Sequence, residues 1–264
     1  MSRLRLSVAF AGTPFFACPS LQALMMNPHF EVKMVITQPD KPVGRKYVLT
    51  ASPIKVLASK NNIFIQQPEK ILDIKEEMVR LNPDFLIVVA YGKILPEELL
   101  TIPRFGAINV HASLLPKFRE EDDTYLTLAE KLSVDSAQYL PQVLDDFAQG
   151  KIQAKPQDHA RATYCRKISK TDGLINFKTE NAETIVRKIR AFTPWPGCFT
   201  FYKNKRIRIL SASVSEQKID TGKWLLIDKK TFGIGTKSGT VLPLVVQPEG
   251  KKPMAVQDFI QGYF

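Results

Sequence analysis

The chain predicts an α/β domain built on a parallel sheet, followed by a small antiparallel β-barrel domain. Two observations carry this. Over the first 111 residues, short apolar runs alternate with stretches of helical spacing, the pattern of βαβ units. From residue 198 onward, short strands separated by turns take over, and they are rich in Lys and Arg. "RLSVAFAG" reads as a buried first strand closed by Gly12. "SLQALMM" is helical, with Ser20 as its expected cap, and "EVKMVITQPD" is a strand ended by Pro39-Asp40. "SPIKVLASKNN" is a helix capped by Ser52 with Pro53 in its first turn. "IFIQQ" is a short strand and "ILDIKEEMVRLN" a helix. "DFLIVVAYG" is continuously apolar, as a central parallel strand covered on both faces must be. "PEELLTI" is a short helix and "GAINVHAS" a further strand. A long helical stretch, "TYLTLAEKLSVDSAQYLPQVLDDFAQG", closes the first domain at residue 150. Residues 151–170 read as a linker. Residues 171–264 form the second domain, with "NAETIVRKIRAF" a helix capped by Asn181 and hairpins around Asn204 and Gly239.

The 264 residues suffice for these two domains. No apolar run reaches the length of a membrane span, and the N-terminus shows no signal-peptide cleavage pattern. Cys18, Cys165 and Cys198 are odd in number and far apart, which fits a reducing cytoplasm better than a disulfide framework. The net charge of +11 is unevenly spread: +6 over residues 1–119, −7 over 120–150 and +12 over 151–264. So basic a C-terminal part suits a polyanion, nucleic acid first, although a solvated lysine-rich surface has the same composition.

Several chemistries are disfavoured by what is missing. "AGTPFFA" after the first strand is not G-x-G-x-x-G, there is no P-loop lysine, and G-x-S-x-G does not occur. His29, His111 and His159 lack metal-ligand spacing, so no metal is expected. Gly12, Tyr91-Gly92 and Asn109–His111 all fall at strand ends, where parallel sheets place their ligands. Asn109 and His111 are two apart in a strand and point the same way. An amide donor beside a group of near-neutral pKa suits a reaction that develops an oxyanion and moves a proton. An Asn and a His merely satisfied at a strand end would look the same.

Asn109-Val110-His111 followed by Ser113-Leu114-Leu115-Pro116 resembles the signature of the folate-dependent formyltransferases. "FAGTP" at 10–14, "TQPDKPVGR" at 37–45, "SPIK" at 52–55, "VVAYGKILP" at 88–96, "RAFTPWPG" at 190–197 and "GKKPMAVQDF" at 250–259 narrow the resemblance to the tRNA-acting branch, over nearly the whole chain. That resemblance implies a Rossmann-like formyltransferase domain over residues 1–150, then the linker, then an OB-like tRNA-binding domain over 171–264. It implies formyl transfer from 10-formyltetrahydrofolate to the α-amine of methionine on initiator tRNA. Asn109 and His111 would be catalytic. Ala90, Tyr91, Gly92 and Ile94 would hold the pterin, and Ser113, Leu114, Leu115 and Pro116 would contact the folate. Arg45 and Lys46 in the 38–50 loop would meet the acceptor end, and Lys203, Lys205, Arg206 and Arg208 the tRNA backbone. A cytoplasmic monomer that needs no membrane is the expectation.

The sequence departs from the family in two places. The family's loop continues its arginine with a run of lysines, whereas Lys46-Tyr47-Val48 stands here. At the Arg119–Glu120 junction several dozen residues of the family pattern are missing, including two strands and the aspartate that orients the histidine. The charge reversal falls at this same junction. Two other functions stay open: a formyltransferase acting on an amino-sugar nucleotide, and a catalytically impaired remnant that binds tRNA or folate.

Overall fold

A computed structural model describes residues 5–44, 46–111, 123–156 and 166–263. The chain divides into two compact units. The first holds a five-stranded parallel sheet. Its strands are β1 (Leu6–Gly12), β2 (Phe30–Ile36), β5 (Ile65–Gln66), β6 (Phe85–Val89) and β7 (Ala107–Val110). Their order is β5-β2-β1-β6-β7, all parallel. The order reverses on the two sides of β1, and such a switch point opens a crevice at the carboxyl ends.

Both faces are covered, as the apolar runs require. On one face Val8, Phe10, Val35, Phe85, Ile87 and Val89 pack with Leu21 and Leu24 of α1 (Cys18–Met26) and with Ile54 and Ala58 of α2 (Pro53–Lys60). Leu140 and Leu144 of α5 (Tyr125–Ala148) join the same cluster. On the other face Ala9, Ala11, Met34, Ile36 and Leu86 meet Met78 of α3 (Lys75–Leu81) and Leu99 of α4 (Glu97–Leu100). Ser52 caps α2, accepting from the Lys55 backbone N–H at 3.0 Å. Ser20 is not a cap: α1 begins at Cys18 with Pro19 in its first turn, and Ser20 is buried inside the helix, 3.3 Å from the Ser136 hydroxyl. The stretch 38–50, expected as a loop, contains a hairpin of β3 (Lys41–Val43) and β4 (Val48–Thr50).

The second unit is β-rich. It pairs β8 (Cys198–Tyr202), β9 (Lys205–Ser215), β10 (Trp224–Asp228), β11 (Thr231–Gly235) and β12 (Thr240–Pro248) in the order β10-β11-β12-β9-β8. A short β13 (Met254–Ala255) pairs with β12. Ile207, Ile209, Phe232, Ile234, Val241 and Val246 form the core. It is closed by Ile185 and Ile189 of α6 (Ala182–Phe192) and Phe259 of α7 (Val256–Tyr263). Asn181 stands at the α6 cap position, but its side chain makes no cap hydrogen bond.

Candidate functional site

The carboxyl ends of β6 and β7 carry Ala90, Tyr91, Gly92, Ile94, Asn109 and His111, the described sequence-selected residues of the parallel sheet. β7 pairs with β6 in register, Val88 opposite Asn109 and Val89 opposite Val110. Asn109 therefore shares a face with Ala107 and Val88, whose side chains border the cluster under α3 and α4. Ala107 is half-buried, whereas Asn109 and His111 are exposed. Two polar groups on the same face, just past the apolar cover, can reach a ligand above the strand ends. Among the described residues β7 pairs only with β6 and forms the edge of the sheet.

After β6 the backbone turns sharply. Ala90 adopts φ +47° and Gly92 φ +83°. This turn sends the Tyr91 side chain into the core, 1% exposed, and leaves Ala90 and Gly92 at the surface. Ile94 is 92% exposed, a large apolar group offered to solvent beside the turn. The Tyr91 carbonyl is held twice, by the Thr13 hydroxyl at 2.9 Å and by the Gln38 side-chain amide at 2.9 Å. A Cβ on Gly12 would come within 2.8 Å of the Phe10 ring and 3.1 Å of the Val89 carbonyl oxygen, so only glycine lets β1 end this close to β6.

The Tyr91 hydroxyl itself is buried without a hydrogen-bond partner among the described residues, and burial pushes its pKa up. An orphaned buried hydroxyl carries a desolvation cost. Tyr91→Phe is expected to stabilise the first unit by about 1 kcal/mol, read from its urea midpoint. An unchanged or lower midpoint would mean that the hydroxyl is satisfied in solution.

The β3–β4 hairpin rises beside the turn and is exposed throughout its described residues, with Val43, Tyr47, Val48 and Leu49 all more than half exposed. Lys46 is exposed in its connecting turn, and Arg45 lies outside the described residues. Ser113, Leu114, Leu115 and Pro116 also lie outside them. The hairpin base is pinned by a polar network that nothing in the sequence pattern signals. Thr37 and Ser52 hydroxyls meet at 2.8 Å, Lys55 pairs with Asp40 at 2.7 Å, and the Gln67 amide donates to Asp40 at 2.8 Å. These donors, Lys55 foremost and then Gln67, hold the Asp40 carboxyl below its ordinary value. A depressed folded pKa gives stability that is present above the unfolded value and lost as pH falls through the folded one. Amide exchange in Lys41–Thr50, corrected for intrinsic rates, is therefore expected to stay constant down to about pH 4 and to accelerate only below it. Acceleration beginning well above that pH would refute the role of Asp40.

In the second unit, β9 places Arg206 and Arg208 on one face while Ile207 and Ile209 point into the core. Phe201 and Phe199 stand opposite them on β8. The Arg206 guanidinium lies 3.9 Å over the Phe199 ring, and its Nε is buried without a partner. Arg208 donates to the Pro194 carbonyl at 3.1 Å and to Gln247 at 3.4 Å. Lys203 and Asn204 adopt positive φ in the β8–β9 turn, and Lys203 donates to the Tyr263 carbonyl at 3.3 Å. Lys205 is exposed at the start of β9. The four cations thus gather in one hairpin, but only the two arginines share the outer face.

No helix among the described residues is long and apolar enough to cross a membrane. Among them, no group of three or more His, Cys, Asp or Glu could hold a metal ion.

Comparison with known proteins agrees with this fold. The formyl transferase model matches residues 4–130 and the formyl transferase C-terminal domain model residues 167–263. A methionyl-tRNA formyltransferase of Sulfurihydrogenibium sp. is 38% identical, over 98% of this chain and 97% of its own. One from Thermodesulfovibrio yellowstonii is 37% identical, over 97% and 95%. The first alignment runs over 304 positions against the 264 residues here, so at least 40 positions of that relative have no counterpart in this chain. In fold, the chain is similar to the crystal structure of WlaRD, a sugar 3N-formyl transferase, with TM-score 0.61 and 17% identity over 94% of this chain and 99% of that one. On the identity and coverage of these relatives, the chain belongs to the methionyl-tRNA formyltransferase family.

Proposed function

We propose that the chain transfers a formyl group from 10-formyltetrahydrofolate to the α-amino group of methionyl initiator tRNA. The observation that carries this reading is the placement of Asn109 and His111 at the carboxyl end of β7, beside the Ala90–Gly92 turn at the end of β6. The folate supplies the formyl group. The residues that fit it are Ala90, Tyr91, Gly92 and Ile94: the two positive-φ positions expose backbone to the pterin edge, and Ile94 covers an apolar face.

The chain's own contribution is electrostatic. The Asn109 amide donates a hydrogen bond to an oxygen that gains negative charge as the amine adds. The His111 ring, two residues along the strand, can hydrogen-bond the same oxygen and relay a proton from the attacking amine to the leaving folate nitrogen. Asn109 is set in the β6–β7 ladder and His111 follows one residue past it, which limits the reorganisation that accompanies charge development. Arg45, Lys46 and the exposed hairpin face meet the acceptor end. Lys203, Lys205, Arg206 and Arg208 meet the tRNA backbone. Residues 1–150 serve as the catalytic domain, 151–170 as a linker and 171–264 as the tRNA-binding domain of a cytoplasmic monomer.

The acceptor is tested by offering methionyl-tRNA and an amino-sugar nucleotide together with the same donor. Formyl label is expected on the tRNA alone. Label on the sugar nucleotide alone would overturn the acceptor assignment.

A further inference from the structure

One side chain joins the hairpin to the turn after β6. Gln38 follows β2, half-buried, and both ends of its amide are used. Its Nε2 donates to the Tyr91 carbonyl at 2.9 Å, and its Oε1 accepts from Lys41, the first residue of β3. Its backbone is fixed as well: the Gln67 amide donates to the Gln38 carbonyl at 2.9 Å and to Asp40 at 2.8 Å. Gly92 makes room for this arrangement. A Cβ there would stand 2.5 Å from Gln38 Nε2, and no other side-chain group would be closer.

We propose that Gln38 is a positioning residue that couples the hairpin to the donor-binding turn, so that an acceptor held at the hairpin and a donor held at the turn sense each other. This rests on the reading that the turn holds the folate and the hairpin meets the tRNA. The physical basis is the amide's two-sided chemistry. A Gln amide presents a neutral donor and acceptor from one planar group, and here one end holds a backbone carbonyl and the other an ammonium. The Tyr91 carbonyl lies between two positive-φ residues, so its two donors, Thr13 and Gln38, set the orientation of the peptide groups around it. The Lys41 ammonium is shared between Gln38 and any phosphate that reaches the exposed hairpin. A phosphate that draws Lys41 away leaves Gln38 with the Tyr91 carbonyl as its remaining side-chain partner. Coupling of this kind is reciprocal: each ligand alters the affinity for the other by the same factor.

Two variants separate the ends of the amide. Gln38→Glu keeps an acceptor for Lys41 and loses the donor to Tyr91. Gln38→Met keeps the length and loses both. The full-length protein is titrated with tetrahydrofolate, with and without bound tRNA, and the KM for methionyl-tRNA is measured in the formyl-transfer assay, with melting temperature recorded for each variant. Loss of one such hydrogen bond corresponds to about five- to tenfold in affinity. Gln38→Glu is expected to weaken tetrahydrofolate by about that factor and to remove the difference between its affinities with and without bound tRNA. Gln38→Met is expected to worsen both tetrahydrofolate affinity and the tRNA KM. Parent-like tetrahydrofolate affinity in Gln38→Glu, a persisting difference with and without tRNA, or equal losses of both ligands in both variants, would overturn the coupling role. If the parent itself takes up no tetrahydrofolate, the folate reading of the turn falls first, which is a distinct result.

Discussion

Replacing His111 with Ala is expected to slow formyl transfer by about 100- to 1,000-fold, with tetrahydrofolate affinity within a factor of about two of the parent. The histidine stands one residue past β7, exposed, where it can touch reacting atoms without supporting the core. Its loss should therefore fall on the chemical step and leave folding alone. Asn109→Ala should behave alike, because the Asn109 side chain is exposed and its strand is held to β6 through backbone pairing. The two losses should not add, since both groups serve one oxygen. Single-turnover rates, with enzyme and donor in excess over methionyl-tRNA, isolate the step. A parent rate in His111→Ala would remove it from the mechanism. A collapse of the melting temperature in Asn109→Ala would mark that residue as structural.

The second large effect concerns RNA binding. Arg206→Ala combined with Arg208→Ala is expected to weaken tRNA and to flatten the logarithmic salt dependence by about one unit for each phosphate no longer neutralised. The geometry refines which half of the pair matters. Arg208 spends two of its donors on Pro194 and Gln247. The half-buried Arg206 places its guanidinium 3.9 Å over the Phe199 ring, a preformed cation–π pair. Arg206→Ala alone should thus account for more of the slope change than Arg208→Ala alone. Turnover of a small free amine should be unchanged. Binding lines of equal slope and height for parent and double variant would reduce the arginines to a packed surface.

Much of the fold could be read from the sequence because burial writes a period. β6 is five residues of unbroken apolar character and lies between two strands with both faces covered. β9 alternates Arg206, Ile207, Arg208, Ile209, and the alternation gives the inward face. The β3–β4 hairpin had no such signal. Each of its described residues is exposed, so Pro42, Val43, Val48 and Leu49 carry no inside–outside pattern. Ser20 looked like a cap because a serine before an apolar run usually is one. Here the helix already begins at Cys18 with Pro19 in its first turn, and the serine is small enough to be buried opposite Ser136. The strand-end placement of Asn109 and His111 was readable from the apolar run before them. Gln38 was not, because its role depends on a carbonyl 53 positions away that only the folded sheet brings within reach.

The departure at the Arg119–Glu120 junction is where catalysis is most exposed to disproof. The chain carries Asn109 and His111, but it is at least 40 positions short of a relative that it otherwise matches over 98% of its length. The decisive assay uses the parent protein, formyl-labelled 10-formyltetrahydrofolate and methionyl initiator tRNA, with the product released from the tRNA and separated. The expected product is N-formylmethionine, formed at a rate that falls by about 100-fold or more in His111→Ala. Unformylated methionine from a folded protein that binds both tetrahydrofolate and tRNA would refute catalysis, and would leave the chain as a binding remnant of its family.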